Sequence, residues 1–233
     1  MKKLYILTLI CAVSLVFAAG CEKQLRLSGG KAGAGQKGSK ESSKPQMLLG
    51  LTGGELLFQE DFGKDLAHWD TRSRHWRIVD GRLYTGDGKN NNEGLWLKGI
   101  QLPADVRIEF EATSVKGNNK VFQGDIKVEF GGPAPEHVSG YVALFGGWDN
   151  SLSAICKGDE HGEGRLAIDT ERRVEENKTY KFAVARVGTE VFWYLDGALF
   201  LYVKDDAIIK GGSFGFNNWN SRVYFDNLKI YAL

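Results

Sequence analysis

Beyond residue 55 apolar and polar positions alternate with period two, and little of the chain repeats at the 3.6-residue spacing of a helix. In Val106-Arg-Ile-Glu-Phe-Glu-Ala112 the residues Val106, Ile108 and Phe110 fall on one side. Arg107, Glu109 and Glu111 fall on the other, because strand side chains point alternately to opposite faces. Asp125-Ile-Lys-Val-Glu-Phe130 repeats the pattern, with Asp125, Lys127 and Glu129 on its polar side. Apolar-rich runs at 56–62, 76–79, 82–85, 141–145, 151–155, 180–185, 190–195, 198–203, 214–216 and 222–231 bring the predicted strands to roughly a dozen. Asp80-Gly81 and Asp196-Gly197 each separate two such runs by two residues, the signature of a type I′ hairpin. Gly146-Gly-Trp-Asp-Asn150 predicts a wider turn. Together these features predict an all-β, two-sheet antiparallel sandwich with one sheet face open to water.

The first 46 residues have a different texture. Met1-Lys2-Lys3 is basic, and Leu4 to Phe17 is an apolar run of signal-peptide length, too short to span a bilayer. Ala18-Ala19-Gly20-Cys21 follows and resembles the lipobox of bacterial lipoproteins, with Ala18 where leucine is commoner. The resemblance implies a signal peptide over 1–20, acylation of Cys21 and a lipid anchor in a membrane of the bacterial cell envelope. Two or three acyl chains would hold firmly where one binds only marginally. Residues 21–46 then read as the lipidated cysteine and a flexible tether rich in Gly, Ser, Lys and Gln. The predicted domain is 47–233.

The whole chain of 233 residues carries a formal charge of +1. Six basic and two acidic residues give the tether +4, and 22 basic and 27 acidic residues give the domain −5. This balance gives no reason to expect a nucleic-acid partner. Of three cysteines, the lipobox resemblance implies that Cys11 leaves with the signal and Cys21 takes lipid, which would leave Cys156 no partner for a disulfide. The domain must stand on its core.

A family resemblance rests on several segments: Phe58-Gln-Glu-Asp-Phe62, Trp76-Arg-Ile-Val-Asp-Gly-Arg-Leu83, Asp105-Val-Arg-Ile-Glu-Phe-Glu111, Val191-Phe-Trp-Tyr-Leu-Asp-Gly197, Gly211-Gly-Ser-Phe-Gly-Phe216 and Val223-Tyr-Phe-Asp-Asn-Leu-Lys-Ile-Tyr231. In this order they resemble the concanavalin A-like lectin/glucanase superfamily, nearest to its 3-keto-disaccharide-hydrolase-like and laminin-G-like lipoproteins. The resemblance covers about residues 55–233 and implies a jelly roll of two curved sheets with ligands on the concave one. It does not fix an activity, since such folds host lectins, glycosidases and lyases alike.

Candidate chemistry falls into three groups. Trp148 and Trp219 lie in polar, turn-like settings beside Asn150 and Asn217, where indoles can stack on sugar rings and amides can bond hydroxyls. Arg107 and Lys127 join them as candidate ligand-binding cations. Glu109, Glu111 and Glu129, with His161 in the loop Asp159-Glu160-His161-Gly-Glu163, are the candidate catalytic groups if the polar sides of their strands share one groove. The resemblance further implies a structural Ca²⁺ where first and last strands meet, held by Glu60, Asp61 and Asp226. Two functions stay open: a glycan-binding module on the envelope, or a glycoside hydrolase or polysaccharide lyase.

Overall fold

The computed structural model describes residues 52–116 and 123–233. The signal-like run, Cys21 and the tether lie outside the described residues. The strands are β1 (Glu55–Glu60), β2 (Trp69–Thr71), β3 (Arg77–Val79), β4 (Arg82–Tyr84), β5 (Leu95–Leu97), β6 (Val106–Ser114), β7 (Ile126–Gly132) and β8 (Tyr141–Gly146). They continue as β9 (Leu152–Lys157), β10 (Arg165–Asp169), β11 (Thr179–Val187), β12 (Glu190–Leu195), β13 (Ala198–Lys204), β14 (Ser213–Asn217) and β15 (Val223–Ala232). One sheet runs β13-β12-β11-β6-β15-β4-β3, with β1 also on β15, and the other runs β10-β9-β8-β7-β14-β5-β2. Every pairing is antiparallel, so the domain is the two-sheet sandwich that its periodicity predicts, in the jelly-roll form that the resemblance implies.

The two Asp-Gly turns form as predicted. Asp80 and Gly81 have φ 51° and 70°, and Asp196 and Gly197 have φ 53° and 80°. Positive φ at both central residues is what a type I′ turn demands. Aromatic rings fill the space between the sheets: Phe110 stacks on Phe182 at 4.6 Å and Phe216 on Phe225 at 4.4 Å.

The predicted common groove for the polar sides of 106–112 and 125–130 does not form. β6 lies in the first sheet and β7 in the second. Their apolar sides, Ile108 and Phe110 against Val128 and Phe130, meet in one core. Arg107, Glu109 and Glu111 therefore point outward on one side of the sandwich, and Lys127 and Glu129 on the other. Nor does the polar side of β7 meet water, because every residue of β7 is buried. Loops crossing the outer face of the second sheet cover it.

β2, β5 and β10 escape the sequence pattern. β2 and β5 are three residues long, too short to show a period. Trp96 of β5 turns away from the core and lies over Gly215, where an added Cβ would stand 2.6 Å from Trp96 Cε3.

Candidate functional site

A pocket of about 270 Å³ opens on the outer face of the second sheet. Lys127 and Leu144 form its floor, Asn92, Asp125, Glu160 and His161 its sides, and Trp148 and Trp219 also line it. Lys127 is only 1% exposed. Its Nζ donates to Asn92 Oδ1 at 2.7 Å and to Glu160 Oε2 at 3.0 Å, and lies 3.3 Å from Asp125 Oδ1. Lysine has three N–H donors, so these oxygens use its full capacity. Burial opposes the charge on Lys127, but Asp125 and Glu160, with help from Glu129, outweigh it and hold the ammonium's pKa above the ordinary value. Burial pushes the Asp125 carboxyl up, the charge of Glu160 adds to this, and Lys127 pulls against it. Glu160 is 6% exposed, and its Oε1 has no hydrogen-bond partner.

Trp148 comes from the turn between β8 and β9. Trp148, Asp149 and Asn150 have φ 48°, 59° and 57°, a left-handed run that non-glycine residues rarely adopt. Asn150 clasps this turn: its Nδ2 donates to Val174 O and its Oδ1 accepts from Val174 N–H, both at 2.9 Å. The predicted ligand-binding amide is thus spent on holding Trp148 in place. Backbone strain of this kind persists only where the surroundings impose it, and it concentrates at functional sites. His161 meets the Trp148 ring edge-on at 5.6 Å, and the Arg165 guanidinium lies over that ring at 3.8 Å. On the other side Trp219 is 39% exposed, and its backbone N–H donates to Asp125 Oδ1 at 2.6 Å.

Beside the pocket lies a second buried polar cluster. Glu129 Oε1 accepts from Asn217 Nδ2 and meets His137 Nδ1, each at 2.7 Å, while Oε2 accepts from Val138 N–H at 2.8 Å. Asn217 is fully buried, and its Oδ1 accepts from Asn218 N–H. His137 Nε2 lies 3.9 Å from Glu160 Oε1, which links the cluster to the pocket wall. Burial opposes a charge on His137, but its bond to Glu129 and the charges of Glu129 and Glu160 prevail and raise its pKa.

The structure therefore brings together Trp148, Trp219, Lys127 and His161, and leaves the other predicted site residues out of the pocket. Glu129 and Asn217 bond each other behind it. On the outer face of the first sheet, Arg107 Nε donates to Glu109 Oε1 at 2.8 Å, and Asn227 Nδ2 donates to Glu111 Oε2 at 3.1 Å. Glu109 and Glu111 line a broad groove of about 410 Å³ there, beside Lys181 and Lys229. Glu109 and Glu111 thus cannot act with Glu129 or His161 on one bond. Asn92, Glu160 and His137 were not singled out in the sequence. Glu160 adjoins His161 in a glycine-bounded acidic loop, and that was its only local signal.

Glu60, Asp61 and Asp226 lie near the paired ends of β1 and β15. Glu60 Oε1 and Asp61 Oδ1 accept from the N–H groups of Phe62 and Gly63, each at 2.9 Å, and Asp226 Oδ1 accepts from Asn227 N–H at 2.7 Å. Burial, with the charges of Glu111 and Asp61, pushes the Asp226 carboxyl up. Among the described residues no three His, Cys, Asp or Glu side chains gather as metal ligands, and these three carboxylates each accept from a backbone N–H at the strand ends.

No family model matches the chain. It is 27% identical over 145 residues to an extracellular exo-α-L-arabinofuranosidase of Streptomyces chartreusis, a match spanning 62% of this chain and 16% of that protein. Among solved structures it is similar to the carbohydrate-binding module CBM66 from Bacillus subtilis, with TM-score 0.59, 19% identity and coverage of 71% of this chain and 96% of that one. It is also similar to the exoplasmic/lumenal domain of VIP36 in its Ca²⁺/Man3GlcNAc-bound form, with TM-score 0.61, 10% identity and coverage of 77% and 90%. The likeness shows the fold, a concanavalin A-like jelly roll.

Proposed function

We propose that this protein is a carbohydrate-binding module whose site is the pocket lined by Trp148 and Trp219, carried on the cell envelope by a lipidated Cys21. The observation that carries the reading is Glu160 Oε1: a buried carboxylate oxygen with no hydrogen-bond partner and the His137 ring nearby at 3.9 Å, on a residue that lines the pocket with two indoles. A buried acceptor left unsatisfied costs free energy, and a ligand hydroxyl that donates to it removes the cost. Indole faces supply the apolar area on which pyranose rings stack, and Trp148 is fixed in place before any ligand arrives. The likeness to CBM66 and to mannose-bound VIP36 supports the ligand class.

A glycan array and calorimetry on the full chain test the reading. Trp148→Ala, Trp219→Ala and Glu160→Gln should each weaken binding by at least about tenfold, the equivalent of one good contact. An array without a binder, or variants that bind as the wild type does, would discard it. Incorporation of labelled palmitate, lost in Cys21→Ser, tests the anchor.

The second reading, a glycan-degrading hydrolase or lyase, has one feature in its favour. Asp125, with its raised pKa, and Glu160 face the same pocket as an acid and a base would. Against it, both carboxylates bind one ammonium and Asp125 also holds the Trp219 backbone. Sugar release from an array binder, lost in Asp125→Asn, would favour this reading.

A further inference from the structure

We propose that the Lys127 ammonium is the pocket's built-in cation, standing among Asn92 Oδ1, Asp125 Oδ1 and Glu160 Oε2 where a metal-dependent site would hold a divalent ion, so that the pocket works without metal. The inference rests on the pocket described above, but its test needs no glycan.

The donor set is that of a hard-cation site. Two carboxylates and an amide oxygen are the groups that Ca²⁺ selects, with waters completing its six to eight oxygens. They come from three separate segments: Asn92 precedes β5, Asp125 precedes β7, and Glu160 follows β9. The ammonium reaches all three, at 2.7, 3.3 and 3.0 Å, and so ties the segments as a metal would. The Asp125 oxygen near the ammonium also accepts the Trp219 N–H, so one indole of the pocket is held through the same point. Removing the ammonium would leave Asp125 and Glu160 as buried like charges, which only another cation or a proton could relieve. A metal ion can be stripped by a chelator. A lysine on a central strand cannot.

Tryptophan-sensitised Tb³⁺ luminescence reads the site directly, because Trp148 and Trp219 line it. The wild-type full chain is expected to show no Ca²⁺-displaceable Tb³⁺ signal from the pocket, and the same thermal midpoint with or without EDTA. Lys127→Ala should gain a Tb³⁺ signal that Ca²⁺ displaces, with affinity at least about tenfold above any wild-type binding. Adding Asp125→Asn and Glu160→Gln should abolish it. A wild-type signal that is lost in Trp148→Ala or Trp219→Ala would overturn the proposal, as would a folded Lys127→Ala that binds no more tightly than wild type. A Lys127→Ala chain that folds only in Ca²⁺ supports it, and one unfolded in both conditions overturns it. Glycan binding abolished by EDTA would refute the built-in cation and leave the carbohydrate reading standing. An empty array would do the reverse.

Discussion

Both oxygens of Glu129 are committed, one to His137 and Asn217 and the other to the Val138 N–H. Glu129→Gln would turn an amide group toward one of these donors and leave it unsatisfied. We expect a loss of about 1–3 kcal/mol in urea unfolding, the usual cost of a buried polar group without its partner. The neighbouring imidazole gives a prediction with a sign. His137 faces Glu129, Glu160 and Lys127, and its pKa is raised in the folded state. The folded state then binds the proton more tightly than the unfolded chain does. The resulting stability is complete below the unfolded value of about 6.5 and is lost as pH rises through the folded value. Wild type should therefore lose stability relative to His137→Gln between mildly acidic and mildly alkaline pH. Parallel curves for the two proteins would show that His137 does not titrate in this way. Cys156 is buried, and burial pushes its thiol up to about 12, so it stays inert.

At the scale of elements, glycines separate turn chemistry from packing. Gly197 has φ 80° and open space where a Cβ would be, so Gly197→Ala should cost about 1 kcal/mol, from backbone conformation alone. At Gly215 the backbone is ordinary, but a Cβ would meet Trp96 Cε3 at 2.6 Å and Leu95 O at 2.8 Å. Gly215→Ala should therefore cost more, toward the upper part of the about 1–3 kcal/mol range for overpacking. Thermal unfolding of both variants checks the order, and an equal cost would count against it. Both Asp-Gly hairpins were legible because a two-residue loop encodes its own geometry. β2 and β5 were not, because their place depends on β14, a strand far away in sequence. The crowding at Gly215 comes from buried Trp96, a residue distant in sequence. Only the pairing of β5 with β14 shows the indole on the outer face.

The all-β sandwich as a whole was readable from period two, but the division of its strands between two sheets was not. β6 and β7 carry the same alternation, and nothing local tells them apart. Once they lie in opposite sheets, Glu109 and Glu111 stand on the far side of an aromatic core from Trp148, Trp219 and Lys127. A solvated polar face was likewise the natural expectation for β7, and it fails because loops carrying Asn92, His137 and Glu160 close over that face. Those contacts join residues 33–35 positions apart in the chain for Lys127, beyond the reach of any window-based pattern. The two-sided arrangement makes a sharp prediction. In the full chain, the double variant Glu109→Gln/Glu111→Gln should leave glycan affinity within about twofold of wild type, since sites separated by a packed core rarely couple. Trp148→Ala, on the other face, should reduce affinity by about tenfold or more, as loss of a stacking anchor does. If calorimetry found the larger loss in the glutamate variant, the ligand would lie in the broad groove of the first sheet. The pocket around Lys127 would then be a buried polar clasp holding loops to a strand, and the carbohydrate site would have to be rebuilt around Glu109, Glu111 and Lys181.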